Sequence, residues 1–400
     1  MILSHTNHYR IAIAFGILAL VTSIHAFTPV SQSFSTKQRF ASTSSFDRTT
    51  TSTTTNLLSN DIILEDAPML VPSVMTPEES TITTKISTKI TTTTTTKSYL
   101  EDGFIFGLEG SGLHRPKGKV ASLVVDGDSL ETTSLQIAIV TSTLLAHAAF
   151  AMASMSHMGH ENWNLVQSLV HGGDNVMWTM LMTTIVMTTI QILGILGGSW
   201  IVADLGSGIL HWAVDNYGNG RTPIMGSIIA AFQGHHAAPW TITQRGFANN
   251  VYKLCLPFGF VPISILILMT IMSTTTTTMT LSVDPNIILF VTSFCVLEIL
   301  SQEFHKWSHR TKHENPIWVQ RLQSVGFTVG PIPHMKHHQE PFDGNYCIIS
   351  GFCNKPLDNM GFFRRLEYWI YQWNGVESNA WKLDPELKER TLRGDFVSLK

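Results

Sequence analysis

Four stretches of this chain are too apolar for water: Leu135 to Met155, Val176 to about Ile201, Leu254 to Met272, and Asn286 to Phe304. About 20 mainly apolar residues cross the hydrocarbon core of a bilayer as a helix. The expected fold class is therefore an all-α integral membrane protein with about four transmembrane helices. The balance of 44% hydrophobic to 14% charged residues in a 400-residue chain agrees. Asp174 and Asn175 would cap the second span. Pro257 and Pro262 soften the third, which a membrane helix tolerates. The fourth is the weakest, because Glu298 lies inside it, and an ionisable residue at that depth is a functional candidate. With a net charge of −3 and no basic stripe, nothing points to nucleic acid. Cys255 and Cys295 fall in apolar segments, and Cys347 and Cys353 are too few and too far apart for a zinc motif.

The first 133 residues read as something other than the fold. Residues 1–26 have the form of a signal peptide: an n-region ending in Arg10, an apolar run from Ile11 to Ile24, and a small residue at Ala26. Residues 27–59 look like a transit peptide, rich in Ser and Thr, with Lys37, Arg39 and Arg48 against the single acid Asp47. Together they resemble the bipartite presequences that route proteins into secondary plastids, with Phe27 following the cleavage point. The expected location is a plastid membrane, thylakoid or inner envelope; entry into the endoplasmic reticulum membrane is the alternative. Residues 60–133 are low in complexity, with a threonine run from Thr91 to Thr96 and one apolar patch from Phe104 to Leu108. They read as a disordered linker to a membrane domain over residues 134–400.

Eight histidines flank the apolar stretches in four groups: His211; His235-His236; His305 with His309; and His334 with His337 and His338. Counting crossings places no span between the first two groups, two between the second and third, and none between the last two. An even number returns the chain to the same face, so all eight share one side of the membrane. Neutral imidazole ligates iron, zinc and copper, and residues four apart on a helix point to one spot. Adjacent His235 and His236 cannot face the same way on a helix, so they lie in a loop or serve one metal each. Eight imidazoles over two ions would give a histidine-rich di-metal cap. His147, His157, His160, His171 and His313 stand apart and read as surface or helix-end residues, with His157 and His160 in the loop between the first two spans.

Asp204, His211 and Asp215 are spaced +7 and +4, as are Glu298, His305 and His309. Each acid thus shares a helix face with a histidine and could orient it, since a metal-bound imidazole commonly donates its other N–H to a carboxylate. Asp215 holds the position corresponding to His309, as an oxygen ligand or, preferred here, as an orienting acid behind the ligands. Structural zinc normally uses cysteine and catalytic zinc needs only three protein ligands. Soluble di-iron bundles use Glu-x-x-His, which this sequence lacks. Two irons held by imidazole fit better and could activate dioxygen against an unactivated alkyl chain. A histidine-lined metal transporter is the competing class, but it would favour ligands within the spans.

The runs Asp204-Leu-Gly-Ser-Gly-Ile-Leu-His-Trp, Gln233-Gly-His-His, Gln302-Glu-Phe-His-Lys-Trp-Ser-His and His334-Met-Lys-His-His, followed by Tyr346-Cys-Ile-Ile-Ser-Gly, resemble the Kua or lipid desaturase family. The resemblance covers about Leu135 to Trp373. It implies a membrane di-iron desaturase with His211, His235, His236, His305, His309, His334, His337 and His338 as ligands to two iron ions. It also implies a membrane phospholipid substrate, dioxygen and two electrons. Within the family the choice lies between a plastid enzyme forming the trans-3 double bond of palmitate on phosphatidylglycerol and a plasmanylethanolamine desaturase; a hydroxylase with a similar centre is a third option. Animal members carry a further histidine at or near the position of Pro333, and its absence here leans toward the plastid branch. No cytochrome b5 signature is present, so the electron donor is a separate protein: ferredoxin in a plastid, cytochrome b5 elsewhere. Residues Met360 to Trp373, aromatic on one side and basic on the other, read as an interfacial helix.

Overall fold

The computed structural model describes residues 129–170, 176–223, 225–275 and 283–397. The signal and transit segments, nearly all of the linker, the cap at Asp174 and Asn175, and His171 lie outside them. Three helices are long and apolar enough to cross a membrane: α1 (Ser134–Leu169), α2 (Val176–Asn216) and α6 (Pro285–His309). They pack against one another, α6 touching both of the others along its length. The outer face of α2 leaves Trp178, Ile190 and Leu193 well over half exposed. So continuous an apolar surface belongs in lipid.

The third stretch is broken. Short α4 (Phe247–Val251) and a 3-10 turn (Tyr252–Leu254) lead through a π-turn (Leu256–Phe260) into α5 (Val261–Thr275), with a bend of 60°. Pro257 and Pro262 each lack the N–H that would continue the ladder, and their rings crowd the preceding turn. Gly259 lets the bend close on α1, because a Cβ there would collide with Thr143. The fourth stretch, by contrast, is one unbroken helix, capped by Asp284 with Pro285 in its first turn.

Both outer helices of the sequence reading run further than hydropathy indicated. α1 continues to Leu169, so His157 and His160 sit on a helix and not in a loop. His147 is buried at mid-helix, its Nδ1–H donating to Thr143 O at 2.9 Å, and is no surface residue. At this end of the bundle Asn162 donates to Thr188 Oγ1 and Gln191 Oε1, and Gln191 donates to Asn286, tying α1, α2 and α6 together. Such interhelical bonds satisfy polar groups that lipid cannot.

Beyond the spans lies a polar cap. It comprises α3 (Gly226–Ala237), a 3-10 turn (Pro239–Gln244), α7 (Ile317–Ser324), α8 (Pro331–His337), α9 (Asn354–Asn359), α10 (Phe362–Asn374), α11 (Asn379–Leu383) and α12 (Pro385–Leu392). No strand occurs among the described residues. On α10 the basic side expected from sequence is split: Arg365 is exposed, whereas Arg364 turns inward to Glu367 at 2.6 Å beneath Trp212. The start of α1 lies on the cap side, since Asn249 donates to the carbonyls of Ser129 and Glu131. α1 therefore leaves the cap and α2 returns to it. His236 and His305 also meet in the cap, and α6 crosses once, so the broken segment must carry the chain across. The described residues hold three helices able to span a membrane, and four spans if the bent segment counts as one.

Candidate metal centre

Four helix C-termini converge on one buried point. His211 lies in the last turns of α2, His235 and His236 close α3, and His305 and His309 close α6. His334 and His337 lie on α8, with His338 as its C-cap. A helix C-terminus carries partial negative charge from its unpaired carbonyls. Four of them aimed at one place favour cations with few acidic side chains. Seven of the eight histidines are buried, and His309 is partly buried.

The donors separate into two sets, each with its ligating atoms within 4.8 Å of one another: His235, His305, His309, His334 and His338 in one, His211, Asp215, His236 and His337 in the other. The sets adjoin, with the His211 and His337 rings 4.3 Å apart and those of His236 and His338 4.9 Å apart. Adjacent His235 and His236 contribute one ring to each. In the all-imidazole set Nε2 atoms stand 2.8 Å apart for His235 and His309, 3.2 Å for His309 and His305, 2.8 Å for His334 and His309, and 3.1 Å for His338 and His334. Imidazole nitrogens about 2.1 Å from one ion and at right angles to each other would be roughly 3.0 Å apart. The set thus has the spacing of a ligand shell. Burial holds His235, His334 and His338 well below the ordinary imidazole range and lowers His236 as well, which keeps these rings neutral.

A loop after α8 supports the second set. His337 donates through Nδ1 to Gly344 O and His211 through Nδ1 to Tyr346 O, both at 3.0 Å. The Tyr346 ring packs against both imidazoles, and its hydroxyl donates to Phe342 O and accepts from Asn216 at 3.2 Å. Sequence reasoning quoted the Tyr346 run but gave it no task, and Asn216 was missed altogether.

The three acids part company. Asp215 joins the second set. Asp204 reaches no histidine: its carboxylate accepts the backbone N–H groups of Ser350, Gly351 and Cys353 at 2.7, 3.0 and 2.9 Å, latching the loop to α2. One turn on, Gly208 allows the same loop close, since a Cβ there would lie 2.5 Å from Cys347 Sγ. Glu298 is fully buried against Gly206, with neither oxygen hydrogen-bonded among the described residues. His147, His157, His160 and His313 stay outside both sets.

A model described as the lipid desaturase domain matches residues 200–381, a range that holds both donor sets. Mouse plasmanylethanolamine desaturase 1 is 32% identical over 207 residues, which are 52% of this chain and 74% of the mouse protein. The chain belongs to the lipid desaturase family. Two Arabidopsis thaliana relatives, fatty acid desaturase 4 and fatty acid desaturase 4-like 1, both chloroplastic, are each 41% identical over 182 residues, or 46% of this chain. That stretch is 52% and 57% of their respective lengths, so this chain spans little more than half of each. No solved structure matches.

Two openings bear on access to the donor sets. An apolar groove of about 1700 Å³, mouth included, lies between α1, α2 and α6 and is lined by Leu196, Trp200, Leu297 and Phe327. Along α2 its lining ends at Trp200. The other opening, a cleft of about 590 Å³ including its mouth, reaches His235 and His305 directly. Its wall holds two cations, Arg245 and Lys253, with Asn249, Asn250 and Gln302, and no carboxylate. Arg245 is steadied by Asn249 Oδ1, which accepts from Nη1 at 2.8 Å.

Proposed function

We propose that this chain is a di-iron acyl-lipid desaturase of a plastid membrane that forms the trans-3 double bond of palmitate on phosphatidylglycerol. The observation that carries the reading is the pair of adjoining donor sets at the membrane face, opened to the outside by a cleft with a cationic wall. Two carbon–hydrogen bonds break and one carbon–carbon double bond forms, while dioxygen takes up two electrons and two protons and leaves with the substrate hydrogens as two waters. When bound, the irons supply the oxidising power for those unactivated bonds. The histidines named above would hold them, and the buried cap keeps bulk water from the reacting carbon. Arg245 and Lys253 would receive the lipid phosphate, placing a carbon near the head group beside His235 and His305. α10, with Trp369 and Trp373 exposed, would lie in the interface with its aromatic rings toward lipid. Electrons would come from a separate carrier, ferredoxin in a plastid, with cytochrome b5 its counterpart in the endoplasmic reticulum membrane.

Chloroplastic relatives and the transit-like residues 27–59 support the plastid reading. The mouse relative, matched over more of its own length, supports the alternative of a plasmanylethanolamine desaturase. Expression in a host that makes neither product, followed by lipid profiling, decides between them. A trans-3 hexadecenoyl chain on phosphatidylglycerol is expected, vinyl ethers would turn the reading to the alternative, and an unchanged profile with two irons bound would overturn both.

A further inference from the structure

The second donor set contains an oxygen among nitrogens, and the hydrogen-bond geometry does not let that oxygen be a bystander. Asp215 Oδ2 lies 3.3 Å from His211 Nε2, 3.1 Å from His236 Nε2 and 3.4 Å from His337 Nε2, and all four side chains are buried. If Asp215 merely oriented these rings, each would have to donate an N–H to it. His236 can do so. His211 and His337 cannot as neutral rings, because both already spend their one N–H on a backbone carbonyl, Tyr346 O and Gly344 O. A neutral imidazole with its proton on Nδ1 offers a lone pair at Nε2. Two lone pairs therefore face a carboxylate oxygen at 3.3 and 3.4 Å, and neither nitrogen has a hydrogen-bond partner among the described residues.

Only positive charge between them makes that arrangement favourable. Protonating both rings would put two buried cations side by side, with ring centroids 4.3 Å apart. A single divalent ion resolves the conflict at lower cost. Donors about 2.1 Å from a common ion stand roughly 3.0 Å apart at right angles and roughly 3.4 Å apart at a tetrahedral angle. The distances from Asp215 to its three histidines span that range. The backbone fixes the carboxylate, since Asn379 donates to Asp215 O at 2.8 Å at the end of α2.

We propose that Asp215 is a direct, anionic metal ligand, so that the two metal positions are unequal: five imidazoles around one, three imidazoles and a carboxylate around the other. The inference rests on the metal-binding reading above and assigns the ligand shells within it. The carboxylate halves the charge of its divalent ion, which five neutral imidazoles leave intact. The two positions should therefore differ in electronic environment and in affinity.

The test uses the full-length chain purified in lipid nanodiscs and loaded with ⁵⁷Fe(II), read by iron content and Mössbauer spectroscopy, with no turnover involved. Wild type should hold two irons in two distinct environments. Asp215→Asn, which keeps the shape and the acceptor for His236 but loses the charge, should fall to about one iron, with one environment missing. Asp215→His should recover the second iron with an altered signal. His338→Ala should instead weaken the other environment, which shows that loss in Asp215→Asn is not general unfolding. An Asp215→Asn protein that keeps two irons with the wild-type pair of signals would overturn this assignment and leave the metal centre standing, as would two equivalent environments in wild type. A wild type that takes up no iron would overturn the metal centre itself.

Discussion

Tautomers, not distances alone, set the chemistry of individual residues here. The eight histidines were legible as a candidate ligand set because imidazole is recognisable wherever it occurs. The groups that fix their protons were not: Gly344 and Tyr346 act through backbone carbonyls, which every residue possesses. Asp215 was visible by its spacing, but its task turns on lone pairs that only the folded loop determines. Two predictions belong at this scale. Replacing Arg245 with Gln removes a charged donor worth about 1.5 to 3 kcal/mol, or roughly 10- to 100-fold in phospholipid affinity. Iron content should stay at the wild-type level while the Michaelis constant rises; an unchanged constant would separate Arg245 from the lipid phosphate. The second concerns Asp358, whose carboxyl burial pushes up to about 6 although Asn345 N–H donates to it. An acid with a raised folded pKa contributes stability that is present below its unfolded value near 4 and lost as pH rises through about 6. Asp358→Asn should flatten the fall in unfolding temperature across that window and match or exceed wild type at pH 7.5, as thermal scans at several pH values would reveal.

At the scale of elements, hydropathy located each apolar stretch and misjudged where the helices stop. α2 and α6 carry on past Ile201 and Phe304 into Asn216 and His309, because their polar residues find partners in the cap. The broken third stretch shows the converse: its composition was apolar enough, and two prolines with Gly259 decided its shape. Arg364 read as surface charge because sequence periodicity does not show that Glu367, one turn along, would be buried with it. The Asp204 latch is where elements and donor sets meet, since the loop it holds carries the two carbonyls that accept from His211 and His337. Leaving buried N–H groups without acceptors costs about 1 to 3 kcal/mol each. Asp204→Ala should therefore lower stability by about 3 kcal/mol or more and reduce iron retention in the Asp215 set before the five-histidine set. Thermal unfolding and Mössbauer spectra of the same sample check both; equal loss from the two environments would separate the latch from the ligands.

Across the whole molecule, the start of α1 and the donor sets lie at one end of the bundle, as four crossings would require if the bent segment is one span. The sequence suggests the same arrangement through the parity of its apolar stretches, and the prolines that soften the third stretch lie at its 60° bend. That arrangement would make the proposed activity directional in a way no single residue reveals. The cleft, its cations and the cap surface all face the same side, and no second entrance is lined by described residues on the far face. In sealed proteoliposomes of random orientation, a membrane-impermeant reductant should drive turnover only in the fraction with the cap outward. Permeabilising the vesicles should uncover the remainder, about doubling the rate when the two orientations are equally populated, so that the enzyme shows latency, as luminal enzymes do in closed microsomes.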